Sequence, residues 1–340
     1  MNNPVFSPVD IADIFCKKYP GAMAKIERAR QMKGREFPDW PYWCFLPMPI
    51  WTTLLINREP DKYPPVSQEQ KEILKLSVLG TWRYSKGVYT LHPVLLRALT
   101  ETTLSDVLPV DVLLRLPEWC VYIRTPGITM KGEALHGFWA TINDDTSGNS
   151  NKKSLYLLLN RQSGTEMEYL SLKPGSVSTL LNERFDHNAA RHMDAGLVGK
   201  LKKSEPFVAF MKGETENLSK LLSILLYLCS DEPEIDSERY PGTYPVRPKP
   251  VKTKKGFRLF PASGPRYWSV GEKTGRILAE AEAIMIGDET TGITDSGRHV
   301  RAHLRRGHWH GFWSGKRDGS EDQKFSYHWL PPQIIGGRYS

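Results

Sequence analysis

The 340-residue sequence predicts an α+β fold, a mainly antiparallel sheet with flanking helices, followed by a small basic module of one helix and a β-hairpin. Three observations point there. Apolar residues recur at helical spacing before residue 100, and four short strand-like runs separated by turn-rich loops follow between 119 and 172. The third is the placement of charge. Residues 247–340 hold 17 Lys and Arg against 9 Asp and Glu, a surplus of eight that equals the whole net charge of +8, while the preceding residues balance at 29 of each. A basic surplus so localised is the electrostatic footprint of a polyanion-binding surface. The plainer alternative is a tail that keeps the protein soluble.

The elements follow in order. SPVD (7–10) offers a Ser N-cap, a Pro in the first turn and an acid three residues on, so a helix should start there with Ile11, Ile14 and Phe15 on one face. A second helix runs from about Ala22 to Met32. FPDWPYWCFLPMPIW (37–51) has four prolines among three tryptophans, which predicts an extended arm with its rings inserted into the core rather than a helix or central strand. After SQEQ (67–70) a helix should bury Ile73, Leu74, Leu76, Leu79 and Trp82. VYTL follows the turn at Ser85-Lys86-Gly87, then a short helix at PVLLRAL. WCVYIR (119–124), LHGFWATI (135–142), LYLLLN (155–160) and EYLSL (168–172) read as strands, and SVSTLLNERF and NLSKLLSILLYLC as helices.

Residues 1–235 thus form the α+β domain. Residues 236–265 are a Pro/Lys-rich linker or arm, whose RPKPVKTKK carries five positive charges in nine residues. Residues 266–340 form the basic module. SVGE (269–272) has the form of a capping box, opening a helix expected to bury Ile277, Leu278, Ala281, Ile284 and Met285. GITDSG (292–297) reads as a loop.

Several function classes fall away. No apolar run reaches the ~18 residues of a membrane span, and the amino terminus lacks the pattern of a secretion signal, so a cytoplasmic protein is expected. Cys16, Cys44, Cys120 and Cys229 lie far apart with no C-x-x-C pair, which fits a reducing compartment and core packing. VGEKTG (270–275) lacks the first glycine of a phosphate loop, and Glu272 separates Gly271 from Lys273. DHNAARHMD (186–194) reads as a polar surface turn. No hydrolase, zinc-protease or dinucleotide fingerprint occurs, and neither a metal nor another cofactor is expected.

The densest chemistry lies in HLRRGHWHGFW (303–313). Two strands joined by SGKRDGSEDQ, with its Asp-Gly turn signal, would put His308, His310 and Phe312 on one side and Trp309 and Trp313 on the other. On KFSYHW (324–329), Phe325, Tyr327 and Trp329 oppose Lys324, Ser326 and His328. If both aromatic sets face one core, the other surface gathers His308, His310, Lys324 and His328, with Arg301, Arg305, Arg306 and Lys316 nearby. Nucleic-acid binding needs only such cations and a ring for stacking, so Arg301, Arg305, Arg306, His308, His310, Lys316 and Lys324 are the candidate contacts. His303, His308, His310 and His328 are also candidates for acid and base in metal-independent RNA cleavage. A metal site lacks Asp, Glu or Cys on the hairpin strands. The purely structural alternative has core tryptophans and solvated histidines.

LGTWRYSKGVYTL (79–91), LPEWCVYIR (116–124), HGFWA (136–140), LLYLCSDEPEI (225–235), VGEKTG, HLRRGHWHGFWSG (303–315) and the closing HWLPPQIIGGR occur in this order. Together they resemble the type V-A anti-CRISPR family that lowers production of the CRISPR effector nuclease rather than blocking its finished form. The resemblance runs from about residue 73 to the carboxyl terminus. It implies a phage- or plasmid-borne inhibitor that recognises the effector's nascent amino-terminal peptide and triggers loss of the encoding mRNA. The implied partners are that peptide, mRNA or ribosome, and a host ribonuclease. A binding and recruiting protein is favoured over an enzyme. The sheet domain's Trp82, Tyr84, Trp119, Tyr122, Phe138 and Trp139 are candidate walls of a peptide groove, since aromatic anchors dominate peptide recognition. The alternatives are an intrinsic ribonuclease built on the histidines, or a binder of the assembled CRISPR ribonucleoprotein, a class against which the positive charge argues.

Overall fold

The computed structural model describes residues 7–56, 68–144 except 107, 152–183 except 182, 199–290 except 255, and 303–335 except 306 and 315–323. In chain order the elements are α1 (Pro8–Lys17), α2 (Ala22–Gln31), α3 (Met48–Ile56), α4 (Gln68–Trp82), β1 (Gly87–Leu91) and α5 (Pro93–Thr100). A 3-10 turn (Val110–Arg115) precedes β2 (Cys120–Arg124), β3 (Thr129–Met130), β4 (Glu133–Asp144), β5 (Lys153–Arg161) and β6 (Gly164–Ser171). Then come α6 (Glu205–Cys229), β7 (Ile235–Ser237), β8 (Val251–Thr253), β9 (Gly256–Arg258), β10 (Arg266–Val270) and α7 (Glu272–Thr290). The chain ends with β11 (His303–Arg305), β12 (His308–Ser314), β13 (Lys324–Leu330) and β14 (Gln333–Ile335).

One sheet runs β6-β5-β4-β2-β1-β10-β7, with β3 added on β4. Its pairs are antiparallel except β2–β1 and β1–β10, which are parallel. Both faces are covered, which is why VYIR, GFWATI and LYLLL are almost continuously apolar. Val88, Tyr122, Trp139 and Leu158 pack with Ala12 of α1 and Val78, Leu79 and Trp82 of α4. Val121, Ile123, Phe138 and Leu157 face the opposite layer, which includes Leu95 and Leu99 of α5 and Leu222 and Leu225 of α6.

Local expectations hold where capping and period agree. Ser7 and Asp10 form a reciprocal capping box at α1. On α4, Ile73, Leu76, Leu79 and Trp82 are buried. Cys44, Cys120 and Cys229 are buried free thiols.

Four expectations are corrected. The Pro/Trp segment does bury Trp40, Trp43, Phe45 and Trp51, but from Met48 onward it is helix. Pro49 stands in the first turn, where its missing N–H costs nothing, and the Pro47 carbonyl accepts from Ile50 and Trp51. Second, α6 extends to Glu205, twelve residues before NLSKLL, behind a Pro in its first turn. Third, Arg266–Val270 is a strand of the main sheet, pairing in register with all five residues of β1, so the chain from 266 onward is stitched into the body. Ser269 therefore lies in that strand and does not cap α7. Fourth, α7 buries Leu278 but leaves Ile277 and Ile284 exposed, because its apolar contact is with one flank of α5.

Residues 238–265 are an arm fastened at intervals rather than a free linker. Arg247 donates to the carbonyls of Leu114 (3.3 Å) and Leu116 (2.6 Å), Arg258 pairs with Glu27 at 2.7 Å, and Ala262 N–H reaches Arg83 O at 3.2 Å. The arm's tip is the β8–β9 ribbon. Inside the sheet, Glu118 is fully buried. It accepts from the Tyr89 hydroxyl at 3.0 Å, its Oε1 has no partner, and burial pushes its carboxyl up to about 8.

Candidate functional site

The hairpin is built from the alternation of its two strands. β12 and β13 pair antiparallel with Trp309 opposite Trp329, His310 opposite His328, Gly311 opposite Tyr327, and Trp313 opposite Phe325. Trp309, Phe325, Tyr327 and Trp329 form the inner face and are buried. The glycines of GHWHG serve that face. A Cβ on Gly311 would stand 2.6 Å from the Phe325 ring and one on Gly307 2.8 Å from the Trp329 ring.

The inner face is bolted to the body. Tyr327 donates its hydroxyl to Leu226 O (3.1 Å), and Trp329 Nε1 donates to Thr102 Oγ1 (3.1 Å). Asp231 accepts the Tyr327 N–H at 2.8 Å and pairs with Arg115 at 2.9 Å, while Arg115 also donates to Phe325 O at 3.0 Å and lies over the Tyr327 ring. Charge-assisted bonds of this kind are the stronger ones. Sequence reasoning did not single out Asp231, Arg115 or Thr102. The only signal was their position, at the end of α6 or in turns preceding β2.

The outer face carries His308, His310, Phe312, Ser326 and His328. His310 is exposed, His308 and His328 are half-buried, and Phe312 packs between His310 and His328 at about 6 Å from each ring. Directly opposed residues have Cβ atoms roughly 4.5–5.5 Å apart, so His310 and His328 can address one ligand atom together. Phe312 (43%) and Trp313 (61%) leave two rings open at the hairpin's far end. The fold thus brings together His308, His310 and His328. His303 and Arg305 lie instead on β11, paired with β14, and Lys324 opposes Ser314. Arg301, Arg306 and Lys316 lie outside the described residues, as do GITDSG, DHNAARHMD and residues 315–323, where the Asp-Gly turn was expected.

The six aromatic candidates for a peptide groove sit elsewhere. Trp82, Tyr84, Trp119, Tyr122, Phe138 and Trp139 are all buried, and none is more than 8% exposed. Trp82 and Trp139 meet edge-to-face at 6.0 Å, Tyr122 and Trp139 lie 4.5 Å apart, and Arg30 lies over Trp119 at 4.6 Å. All six pack in the core: Tyr122, Phe138 and Trp139 from strands of the two-sided sheet, Trp82 from the end of α4, and Tyr84 and Trp119 from the turns beside it and before β2. Of the six, Tyr122 reaches the wall of an open cavity of about 600 Å³, between the ends of β1, β2 and β4 and the loop at 126–129. Tyr122 Oη accepts from Asn160 Nδ2 at 3.1 Å. Thr90 Oγ1 and His136 Nε2, both on residues lining the cavity, are buried without a partner. Gly137 makes room for Tyr122, since a Cβ there would meet Oη at 2.5 Å. Neither Thr90 Oγ1 nor His136 Nε2 exposes surface to the cavity, so a ligand would reach them only through a shift of their side chains. Thr90, His136 and Asn160 come from three strands, and no sequence pattern unites them.

The VGEKTG stretch is occupied from within. Glu234 accepts from the backbone N–H groups of Lys273 and Thr274 and from Thr274 Oγ1 at 2.9 Å, filling the α7 amino terminus with the protein's own carboxylate. Among the described residues no helix is long and apolar enough to cross a membrane, and no three His, Cys, Asp or Glu side chains are grouped to hold a metal.

The fold is similar to that in the crystal structure of AcrVA2, at 21% sequence identity and a TM-score of 0.64, covering 98% of this chain and 100% of that one. No curated protein matches the chain. The sequence model of the AcrVA2-like family, described as anti-CRISPR type V subtype A2, matches residues 89–337, a span that holds the hairpin, the cavity strands and β10. The chain belongs to the AcrVA2-like family of type V-A anti-CRISPR proteins.

Proposed function

We propose that the protein suppresses production of the type V-A CRISPR effector in the cytoplasm of the bacterial host, by reading the effector's nascent amino-terminal peptide and promoting loss of its mRNA. The observation that carries the RNA half is the two-faced hairpin. Its inner rings are bolted to the body, three histidines and Phe312 are held outward, and Trp313, on the inner side against Phe325, is open to solvent at the hairpin's far end. RNA recognition uses such stacking rings beside cationic or protonatable donors. Arg305, Arg306 and Lys316 supply charge from the same segment of sequence. The cavity beside Tyr122 supports the peptide half, because it is open, about 600 Å³ in volume, and lined by the polar side chains of Arg124, His136 and Asn160. In this reading the protein is a sensor, and a host ribonuclease cuts the message.

A second reading, an intrinsic metal-independent ribonuclease, is favoured by His310 standing opposite His328, the arrangement a general acid and base require. One experiment separates them. Effector mRNA is translated by purified components without host nuclease, in the presence of intact protein or its His310→Ala variant. Transcript length and ribosome association are followed over time. The sensor reading expects an uncut message, intact protein held on ribosomes translating the effector, and no retention when the effector's first codons are scrambled. Cleavage by intact protein, lost about 100-fold in His310→Ala, would install the ribonuclease instead. Equal ribosome retention with scrambled codons sinks peptide reading altogether.

A further inference from the structure

We infer that the arm at 239–260 is a track for single-stranded nucleic acid, separate from the hairpin. From Arg239 to Gly271 the chain holds eight Lys and Arg and not one Asp or Glu. That stretch alone carries a surplus equal to the protein's net charge. Its rings do not fold inward. Tyr240, Tyr244, Phe257 and Phe260 are between 50% and 67% exposed.

Exposed rings on a loose loop would collapse onto the nearest apolar surface, but this backbone is held. Pro245 and Leu259 are buried, Arg247 is tied to Leu114 and Leu116, and Arg258 to Glu27. Between these anchors the β8–β9 ribbon sets Lys252 opposite Phe257. Two guanidiniums lie against rings of the arm itself, Arg239 over Tyr240 at 5.3 Å and Arg258 over Phe260 at 5.8 Å, and Arg247 lies over Tyr42 at 5.2 Å. The Arg239–Tyr240 pair offers a flat surface beside a positive charge, while the charge of Arg258 is already met by Glu27. Lys249, Lys252 and Lys254 are exposed and have no carboxylate within ion-pair distance among the described residues. Rings for bases and free cations for phosphates are the two components of sequence-tolerant single-strand binding. A duplex hides the base faces that these rings would stack on, and an acidic peptide would leave them idle.

The inference does not depend on peptide reading or on the hairpin histidines, and its test needs no translation. Labelled 20-nucleotide oligouridylate and the matching RNA duplex would be titrated with the full-length protein, at a series of salt concentrations. We expect the single strand to bind more tightly than the duplex. Tyr244→Ser with Phe257→Ser should weaken single-strand binding roughly tenfold or more while leaving thermal unfolding unchanged, since both rings are exposed. Lys252→Ala with Lys254→Ala should reduce the slope of log affinity against log salt by about 1.4, the share of two phosphates. The hairpin variant Phe312→Ser is the control for location. Arm variants that bind like the intact protein, whatever Phe312→Ser does, overturn the inference. So does binding only to phosphatidylserine vesicles, lost in the same arm variants, which would make the arm a membrane contact.

Discussion

The protein uses aromatic residues in two opposite ways. Around β2 and β4, Trp82, Tyr122, Phe138 and Trp139 are sealed between helices and sheet, whereas in the arm and hairpin Tyr244, Phe257, Phe312 and Trp313 are open to solvent. Residue type does not separate the two groups; neighbours do. The buried rings of Tyr122, Phe138 and Trp139 have Val, Ile, Leu and Ala neighbours on strands covered on both faces, and Trp82 sits on the helix that covers one of them. The open rings sit beside Pro, Lys, Arg and His, on segments held by other side chains, Arg247 and Arg258 in the arm and the inner rings in the hairpin. A ring is a packing element where the chain can bring apolar surface to both its faces, and a recognition element where it cannot.

The sharpest way to break this comparison is to remove one ring of each kind. Trp139→Ala should lower stability by about 3–5 kcal/mol, the usual cost of emptying a large core site, measured by urea unfolding. Asp231→Ala should come next, at roughly 1–3 kcal/mol, because it strips the buried Tyr327 N–H and Arg115 of a shared acceptor. Hydrogen exchange should then quicken along β13 while the β4–β5 amides stay protected; equal quickening everywhere would mean that the hairpin is no separate layer.

Glu118 gives a pH handle on the sealed region. Burial raises its carboxyl to about 8, above the ordinary 4.5, so the folded state keeps a proton that the unfolded chain releases. This contribution to stability is fully present below about pH 4.5 and is lost as the pH rises through 8. Glu118→Gln should flatten that decline, leaving the Tm at pH 9 on the order of 2–4 °C above the parent and little changed at pH 5. Parallel Tm curves for the two proteins would show that Glu118 is not the titrating group. The smallest effect belongs to the open ring. Trp313→Ser should change stability by no more than ~0.5 kcal/mol while lowering RNA affinity, measured by anisotropy.

How much of this was legible follows the same divide. β2, β4 and β5 could be read because each holds an apolar run between turn residues, and the hairpin because its rings alternate around Asp-Gly; β3 and the first half of β6, Gly164–Met167, lack such a run. The inward set on β13 and the outward histidines on β12 are both found where alternation puts them. The six peptide candidates were read from residue type alone, and an aromatic run on a two-sided strand, such as Tyr122 or Phe138-Trp139, looks the same whether it meets a partner or a helix; of the six, Tyr122 lines the cavity. β10 was hidden because RYWSV lies in basic, Pro-rich sequence, and its pairing with β1 is set by long-range packing rather than by local pattern. The cavity was invisible for a related reason, with Thr90, His136 and Asn160 far apart in sequence and unremarkable singly.

The place of β10 also dictates how the molecule comes into being. Gly87 pairs with Arg266, so during synthesis β1 emerges long before the strand that will flank it. Until residues 266–270 clear the ribosome, the growing chain carries an unsatisfied strand edge, the kind of surface that recruits wrong partners. A chain cut off before Arg266 would be a sticky half-sheet rather than a smaller working protein, because β1 would keep one edge without its partner.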